Sequence, residues 1–595
     1  MSPSLCSIPL ELVDEICGQL APQMDDQLLD VVNYERNRPA RTALARCARV
    51  CRILHMPAVR VLWRQQELST MCEAVLRNFS LGSVKWPTNE EEYREGHGAD
   101  DEANEDMAVG IDPHTYPYNY KYVPGPISAE EWARFKHYAP FVRVLRYGTG
   151  VTIEPSIFLF LQQHAHGQPL FPNLRELIWE HATPEIISMT SPSIRVLCLP
   201  EDEYMRENGW QTSEYGYRMR RHAFKQMLPA VLQALPNLEE LELRRLAHEA
   251  FWYPLWRSVP SGRFISQTIR TLCISESHRV LTRAALAAIS TIRGLTALVI
   301  DLVESGGTHN PQADNDVDVP PIRPFEGLKS LFLKGTTAEV AALTDAIVAP
   351  GLEGMEIWYK ESLEEMGNDV LAIALHATFD TLRRRYAGSL RRLALIDVSS
   401  SPPLFASGTA AATPFHAVAS PLLALQRLQH VVIREEYCSD HISVPDLVAA
   451  WPTVRSLDLP NHSLTLDSLR DIARTCPQLE CLAALELLGG EEGRDTLSQA
   501  TRQRISSSDA DSAPDSEATG CALRELLVGD PLYIEHRSDI HLIARFLDSL
   551  FPQLDIGRCS RFVVYDGSRD EVMKQMMKLQ LARRNRAQSS SGHGG

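Results

Sequence analysis

Thiols and positive charge are both thin in this chain. Twelve cysteines are dispersed among 595 residues with no Cys-x-x-Cys pair, which points away from a disulfide framework and toward reduced thiols in the cytoplasm and/or nucleus. Lys and Arg total 59 against 76 Asp and Glu, a formal net charge of −17. A nucleic-acid partner needs a basic face, so none is expected. No apolar run reaches the roughly 18 residues that a membrane-spanning helix requires, so no membrane partner is expected either. The opening Met1-Ser-Pro-Ser-Leu-Cys-Ser-Ile-Pro9 has neither the basic nor the apolar region of a secretory signal. A hydrophobic content of 44% and a mean hydropathy of −0.18 fit a globular chain.

Catalytic spacing is lacking as well. There is no phosphate-binding Gly-rich loop, no nucleophile elbow and no His-Glu-x-x-His. Cys47/Cys51 and Cys476/Cys481 are single pairs without a second pair to complete four converging ligands, and read as packing thiols. His164 and His166, two apart, suit one face of a strand, but no carboxylate pattern completes a site. No enzyme, cofactor or metal centre is therefore expected. Triads assembled from distant residues leave no local spacing, so an enzyme ranks third among the readings.

What the chain does have is a repeat. The pattern apolar-x-x-apolar-x-apolar returns at Leu174-Leu177-Trp179, Ile194-Leu197-Leu199, Leu238-Leu241-Leu243, Ile269-Leu272-Ile274 and Leu295-Leu298-Ile300. It continues at Leu328-Leu331-Leu333, Leu352-Met355-Ile357, Leu390-Leu393-Leu395, Leu428-Val431-Ile433, Val454-Leu457-Leu459, Leu482-Leu485-Leu487 and Leu523-Leu526-Val528. Val142-Leu145-Tyr147 is a weaker first copy. The mean period is about 32 residues, inside the range of stacked-repeat folds. The last two apolar positions fall on one face of a short strand. Only a neighbouring repeat can bury them, at roughly 1.5–3 kcal/mol per side chain. Between strands, helical segments end at Leu235-Pro236, Trp451-Pro452, Cys476-Pro477 and Phe551-Pro552, and Phe171-Pro172 repeats the pattern. The array resembles irregular leucine-rich repeats with helical backs, although the spacings are uneven and the usual asparagine is not regular. Residues between the inward positions then face the opposite, concave side. Phe332, Glu356 and His430, with Trp358 and Arg434 just past their strands' last inward residues, are the substrate-binding candidates.

Residues 7–65 follow a different pattern. Ser7-Ile8-Pro9-Leu10-Glu11-Leu12 opens a helix, with Pro in the first turn and an acid at the positive end of the dipole. Leu12, Ile16 and Leu20, with Val13 and Cys17 alongside, form a single apolar face, some of it building the helical core and some facing a partner. A second helix is expected over 42–53 and a third segment over 57–63, with 21–39 looped out between the first two helices. This series resembles an F-box, and its place before leucine-rich repeats matches the fungal-type F-box/leucine-rich-repeat family. Ile8, Pro9, Glu11, Leu12, Ile16, Leu20, Val50, Cys51, Leu62 and Trp63 match motif positions. The resemblance implies docking on a Skp-family adaptor and, through it, a cullin. The chain would then be the substrate-recognition subunit of an SCF-type ubiquitin ligase acting in ubiquitin-dependent degradation, its repeats holding an unidentified protein. The alternatives are a plain helical cap on the array, or a repeat scaffold with no ubiquitin link.

The expected fold is thus α/β: a three-helix F-box over 1–68, a connector over 69–140, a leucine-rich-repeat solenoid with a parallel concave sheet over 141–569, and a basic helix and tail over 570–595. The aromatics of Tyr116–Tyr122 are expected to pack the connector on the first repeat, and the helix over 570–588 to be exposed and frayed. Three acidic insertions, 89–107, 304–318 and 491–517, carry −8, −4 and −4, so nearly all of the net charge lies outside the repeats. The first is expected to be disordered, and the third holds Ser506-Ser507-Ser508-Asp509.

Overall fold

The computed structural model describes residues 9–21, 30–77, 79–84, 118–148, 152–180, 183–199, 227–244, 268–277, 283–302, 321–359, 368–398, 418–434, 444–488, 521–528, 537–559 and 567–591. The three acidic insertions, Ile8 and the Ser506–Asp509 cluster lie outside the described residues. The chain forms two compact units, Met1–Ser277 and His278–Gly595.

The first unit opens with three helices, α1 (Leu10–Gln19), α2 (Asp30–Val50) and α3 (Arg52–Leu62). Their core is Val13, Cys17, Leu44 and Ala58, with Leu20, Cys47, Ala48, Ile53, Leu54, Val61 and Leu62 packed around it. The apolar face of α1 divides accordingly. A helix with apolar residues most of the way round offers two stripes, and the one carrying Val13 and Cys17 goes inside while Leu12 and Ile16 stay exposed. The second helix also begins earlier than expected. Pro39 lies within it, although an interior proline costs about 3 kcal/mol. Leu44, Cys47 and Ala48 pack beyond it, so the part of the expected 21–39 loop from Asp30 onward is continuous helix. The third helix likewise passes through a buried Pro57.

From α3 the chain runs straight into β1 (Gln65–Glu67), which pairs in parallel with β4 (Val144–Tyr147). The sheet thus starts before the first recognised repeat at 142. Three residues with one inward side chain are too short to display the repeat pattern. After α4 (Leu68–Val75) comes a small sheet of β2 (Ser80–Val84), β3 (Tyr118–Tyr122) and β5 (Thr152–Ile153). The aromatic segment therefore forms a strand of its own. β4 then pairs in parallel, in chain order, with β6 (Glu176–Trp179), β7 (Val196–Leu199), β8 (Glu240–Arg244) and β9 (Thr271–Ser277). His164 and His166 share no strand. His164 ends the helix Ser156–Ala165 and His166 is its left-handed cap at φ 49°, followed by Gly167 at φ 78°.

The second unit repeats the scheme. Parallel strands β10 (Ala297–Leu302), β11 (Ser330–Gly335), β12 (Gly354–Tyr359), β13 (Arg392–Asp397), β14 (His430–Arg434), β15 (Ser456–Thr465), β16 (Cys481–Leu488) and β17 (Glu525–Val528) pair consecutively. Helices lie between them, among them Thr337–Ala346, Asn368–Tyr386 and Leu466–Thr475. The first of these starts in a capping box, with Thr336 Oγ1 accepting from the Glu339 backbone N–H and Glu339 accepting from the Thr336 N–H. The helix Gly567–Ser591 is not frayed at its start. Val572, Met573 and Met576 are buried, Arg583 pairs with Asp548 at 3.0 Å and Gln580 donates to the Leu554 carbonyl at 3.0 Å.

Each repeat is built on a tight turn that the six-residue pattern only half captures. The N–H of the pattern's first residue bonds the carbonyl three residues earlier: Leu174 to Phe171 (3.2 Å), Leu238 to Leu235 (3.2 Å), Leu328 to Phe325 (3.2 Å), Val454 to Trp451 (3.1 Å), Leu479 to Cys476 (3.2 Å). The copy expected at Leu482-Leu485-Leu487 is thereby corrected to Leu479-Leu482-Ala484, because register sets Leu482 beside Leu457 and Leu526, and Ala484 beside Leu459. Both ends of these turns are buried. The repeat is therefore apolar-x-x-apolar-x-x-apolar-x-apolar, and the Pro that follows Phe171, Leu235, Trp451 and Cys476 starts the turn.

Candidate functional site

Two surfaces carry the sequence-derived site residues. The first is on the N-terminal helices. With Val13 and Cys17 turned inward, α1 leaves Leu10, Leu12 and Ile16 53%, 54% and 54% exposed, and Val50 at the end of α2 is 66% exposed. Pro9, Glu11 and Cys51 sit at helix starts: Pro9 caps α1 with its carbonyl bonded by the Leu12 and Val13 N–H groups, Glu11 is in that first turn, and Cys51 caps α3. Pro9 and Glu11 are exposed and Cys51 is half-buried. Leu20 and Leu62 belong to the helical core.

Trp63 does something the motif did not indicate. It stacks on Tyr138 with ring centroids 4.1 Å apart and planes 13° from parallel. Beside it, the Arg64 carbonyl accepts both the Arg143 and Val144 N–H groups, at 2.8 and 3.0 Å. Gln66 is buried and donates to the Leu62 carbonyl at 2.6 Å. The helices thus join the first strands without a slack connection. Tyr138 carried no sequence signal beyond being an aromatic at the end of an amphipathic helix.

The second surface is the side of the β10–β14 sheet opposite the buried triples. Register aligns Val299, Phe332, Glu356, Ala394, Val432 and Asp458 in one row, and Asp301, Lys334, Trp358, Ile396 and Arg434 in the next. Phe332, Glu356 and Trp358 therefore meet: Phe332 and Trp358 rings lie 5.6 Å apart, and Trp358 Nε1 donates to Glu356 Oε1 at 2.7 Å. Trp358 and Arg434 follow directly on the inward Ile357 and Ile433 and lie within their strands. His430 is one row away and exposed, paired in register with Ser456. Arg434 reaches Asp458 at 3.1 Å, and Lys334 reaches Asp301 at 3.0 Å. The result is an apolar and aromatic band between two ion pairs, with its charges answered internally. Such a face binds by shape and burial more than by net charge.

Among the described residues no group of three or more His, Cys, Asp or Glu is placed to hold a metal ion. No disulfide joins the described cysteines, and burial pushes Cys72 and Cys476 up to about 12, the opposite of an activated thiol. Glu240 is also raised, by burial first and then by Glu242 on the same strand.

No protein-family model matches the chain, and no curated protein matches it. Among solved structures, an internalin from Listeria monocytogenes aligns with 15% identity over 56% of this chain and 80% of its own, at a TM-score of 0.24. An overlap that slight bears on neither fold nor function.

Proposed function

We propose that the protein is a non-enzymatic binding scaffold of leucine-rich-repeat type whose N-terminal helices act as an F-box, docking a Skp-family adaptor and through it a cullin. On this reading the repeats hold a protein substrate for ubiquitin transfer, in the cytoplasm and/or nucleus. One observation carries it. The residues that match the F-box pattern divide: Leu20 and Leu62 pack with the core and Trp63 stacks on Tyr138, while Leu12, Ile16 and Val50 are left exposed, with Leu10 of the same helix exposed beside them. A small helical module gains nothing by exposing four large apolar side chains, and such a patch marks an interaction site. A scaffold without a ligase role is favoured by a different observation, the direct passage of α3 into the edge strand β1, which suits a simple end cap.

Co-precipitation separates the two. The full chain captures a purified Skp-family adaptor, and Leu12→Glu plus Ile16→Glu abolishes capture while thermal unfolding is unchanged. A wild-type chain that captures no adaptor leaves only the scaffold. Trp63 is a poor probe for this purpose, because its stack on Tyr138 is part of the fold.

A further inference from the structure

Each repeat of the sheet makes the same backbone connection. The residue just before the strand offers its carbonyl to two consecutive N–H groups of the next repeat, which stacks these residues in a column. In the first unit the column reads Arg64, Arg143, Arg175, Arg195, Glu239 and Arg270. In the second it reads Thr296, Lys329, Glu353, Arg391, Gln429, Arg455, Glu480 and Arg524. Neighbouring side chains along the column reach one another, since Arg195 bonds Glu239 at 3.0 Å, Lys329 bonds Glu353 at 2.6 Å and Arg455 lies 3.9 Å from Glu480.

The two columns differ in charge logic. In the second unit acids fall beside bases. In the first, four arginines follow one another at the strand spacing of about 4.8 Å. Arg64, Arg175 and Arg195 are exposed and Arg143 is half-buried. Arg143 uses its guanidinium on the Asn173 carbonyl at 3.0 Å. Its proton affinity is lowered by burial first, then by Arg175 and Arg64. Among the described residues no carboxylate pairs with Arg64 or Arg175. Like charges stacked at this spacing repel and cost stability unless an anion answers them. The four arginines span about 14 Å, from the first strand of the sheet at one end to Arg195 beside Glu239 at the other. A long polyanion would bring the remainder of a −17 chain against its own charge, whereas a short acidic segment would not.

We infer that the Arg64–Arg143–Arg175–Arg195 column is a docking strip for a short run of Asp and Glu side chains on a partner protein, lying across the strand starts of the first unit. The guanidiniums take carboxylates through paired N–H donors. This strip is separate from the α1 surface, and the inference stands whether or not the helices dock an adaptor.

The test is fluorescence anisotropy of the full chain with a short synthetic peptide of alternating Asp and Glu, titrated over a range of salt. Binding is expected to weaken steeply as salt rises. Arg175→Gln is expected to weaken it about fivefold, and Arg64→Gln with Arg175→Gln and Arg195→Gln to abolish it. Arg455→Gln, in the charge-paired column, leaves binding unchanged. Because all three exposed arginines lie outside the core, the variants are required to unfold no lower than the wild-type temperature. Equal binding by the triple variant overturns the inference. So does binding of a phosphopeptide or single-stranded nucleic acid in place of the carboxylate peptide, or equal loss in Arg455→Gln. Adaptor capture by the triple variant stays at the wild-type level.

Discussion

Trp451 offers the sharpest test of how the repeats hold together. Its side chain is fully buried at the first position of a repeat turn, and its indole N–H donates to the Leu422 carbonyl of the preceding repeat at 3.1 Å. Its own carbonyl accepts the Val454 N–H at 3.1 Å, and the Cys476 Sγ of the following repeat approaches that carbonyl at 3.7 Å. Trp451→Phe keeps most of the ring but removes one of two donors to the Leu422 carbonyl, which also accepts the Leu425 N–H at 3.0 Å, and costs about 0.5–1.5 kcal/mol. Trp451→Ala adds a cavity costing about 3–5 kcal/mol, for a total near 3.5–6.5 kcal/mol. Because each repeat contacts only its neighbours, the loss is local. Urea unfolding measures the size of the effect and hydrogen exchange its location. Lost protection is expected in β14, β15, β16 and the helices Val444–Ala450 and Leu466–Thr475, with β4 to β9 unaffected. A cost below about 1 kcal/mol for Trp451→Ala, or a loss spread evenly over both units, refutes this account of the repeat.

The other expectations are smaller in scale. Leu44→Ala, in the core of the N-terminal helices, costs about 2–5 kcal/mol by thermal or urea unfolding, whereas Leu12→Ser and Ile16→Ser stay within about 0.5 kcal/mol. Arg175→Glu places an acid between Arg143 and Arg195 and stabilises the first unit by up to about 1 kcal/mol in the same assay. His462 is buried beside the β-bulge of β15, neither ring nitrogen has a hydrogen-bond partner among the described residues, and burial lowers its pKa below 6.5. The unfolded chain therefore binds the proton more tightly than the folded one. Stability is full above about pH 6.5 and falls as the pH drops toward the lowered folded value. Unfolding of wild type and His462→Leu across pH 5–8 checks this, and an unchanged slope in the variant contradicts it.

The inward triples of the strands were legible because a two-residue period has only one register in which three apolar residues share a face. Leu177 with Trp179, or Leu331 with Leu333, could point no other way. The α1 helix was not legible in the same sense. Leu12, Val13, Ile16 and Cys17 give two apolar stripes, and only packing against Leu44 and Ala58 decides between them. The turn residues Phe171, Leu235, Trp451 and Cys476 were visible as the lead-in to Pro but not as core, since a turn carries no period. β1 and the Trp63–Tyr138 stack depend on contacts between residues far apart in sequence, which no local pattern encodes. The substrate-face candidates Phe332, Glu356 and Trp358 were found by strand alternation alone. Their ring contact and hydrogen bond follow from register between β11 and β12, which only the fold supplies.

The claim that the N-terminal helices present a docking face is tested most directly by the footprint of a Skp-family adaptor on the full chain. Amide hydrogen exchange is measured with and without purified adaptor. The account predicts new protection in α1 and at the Val50 end of α2, with none in β10 to β17, and loss of that protection in the Leu12→Glu, Ile16→Glu variant. Absence of any footprint, or a footprint confined to the repeats, contradicts it.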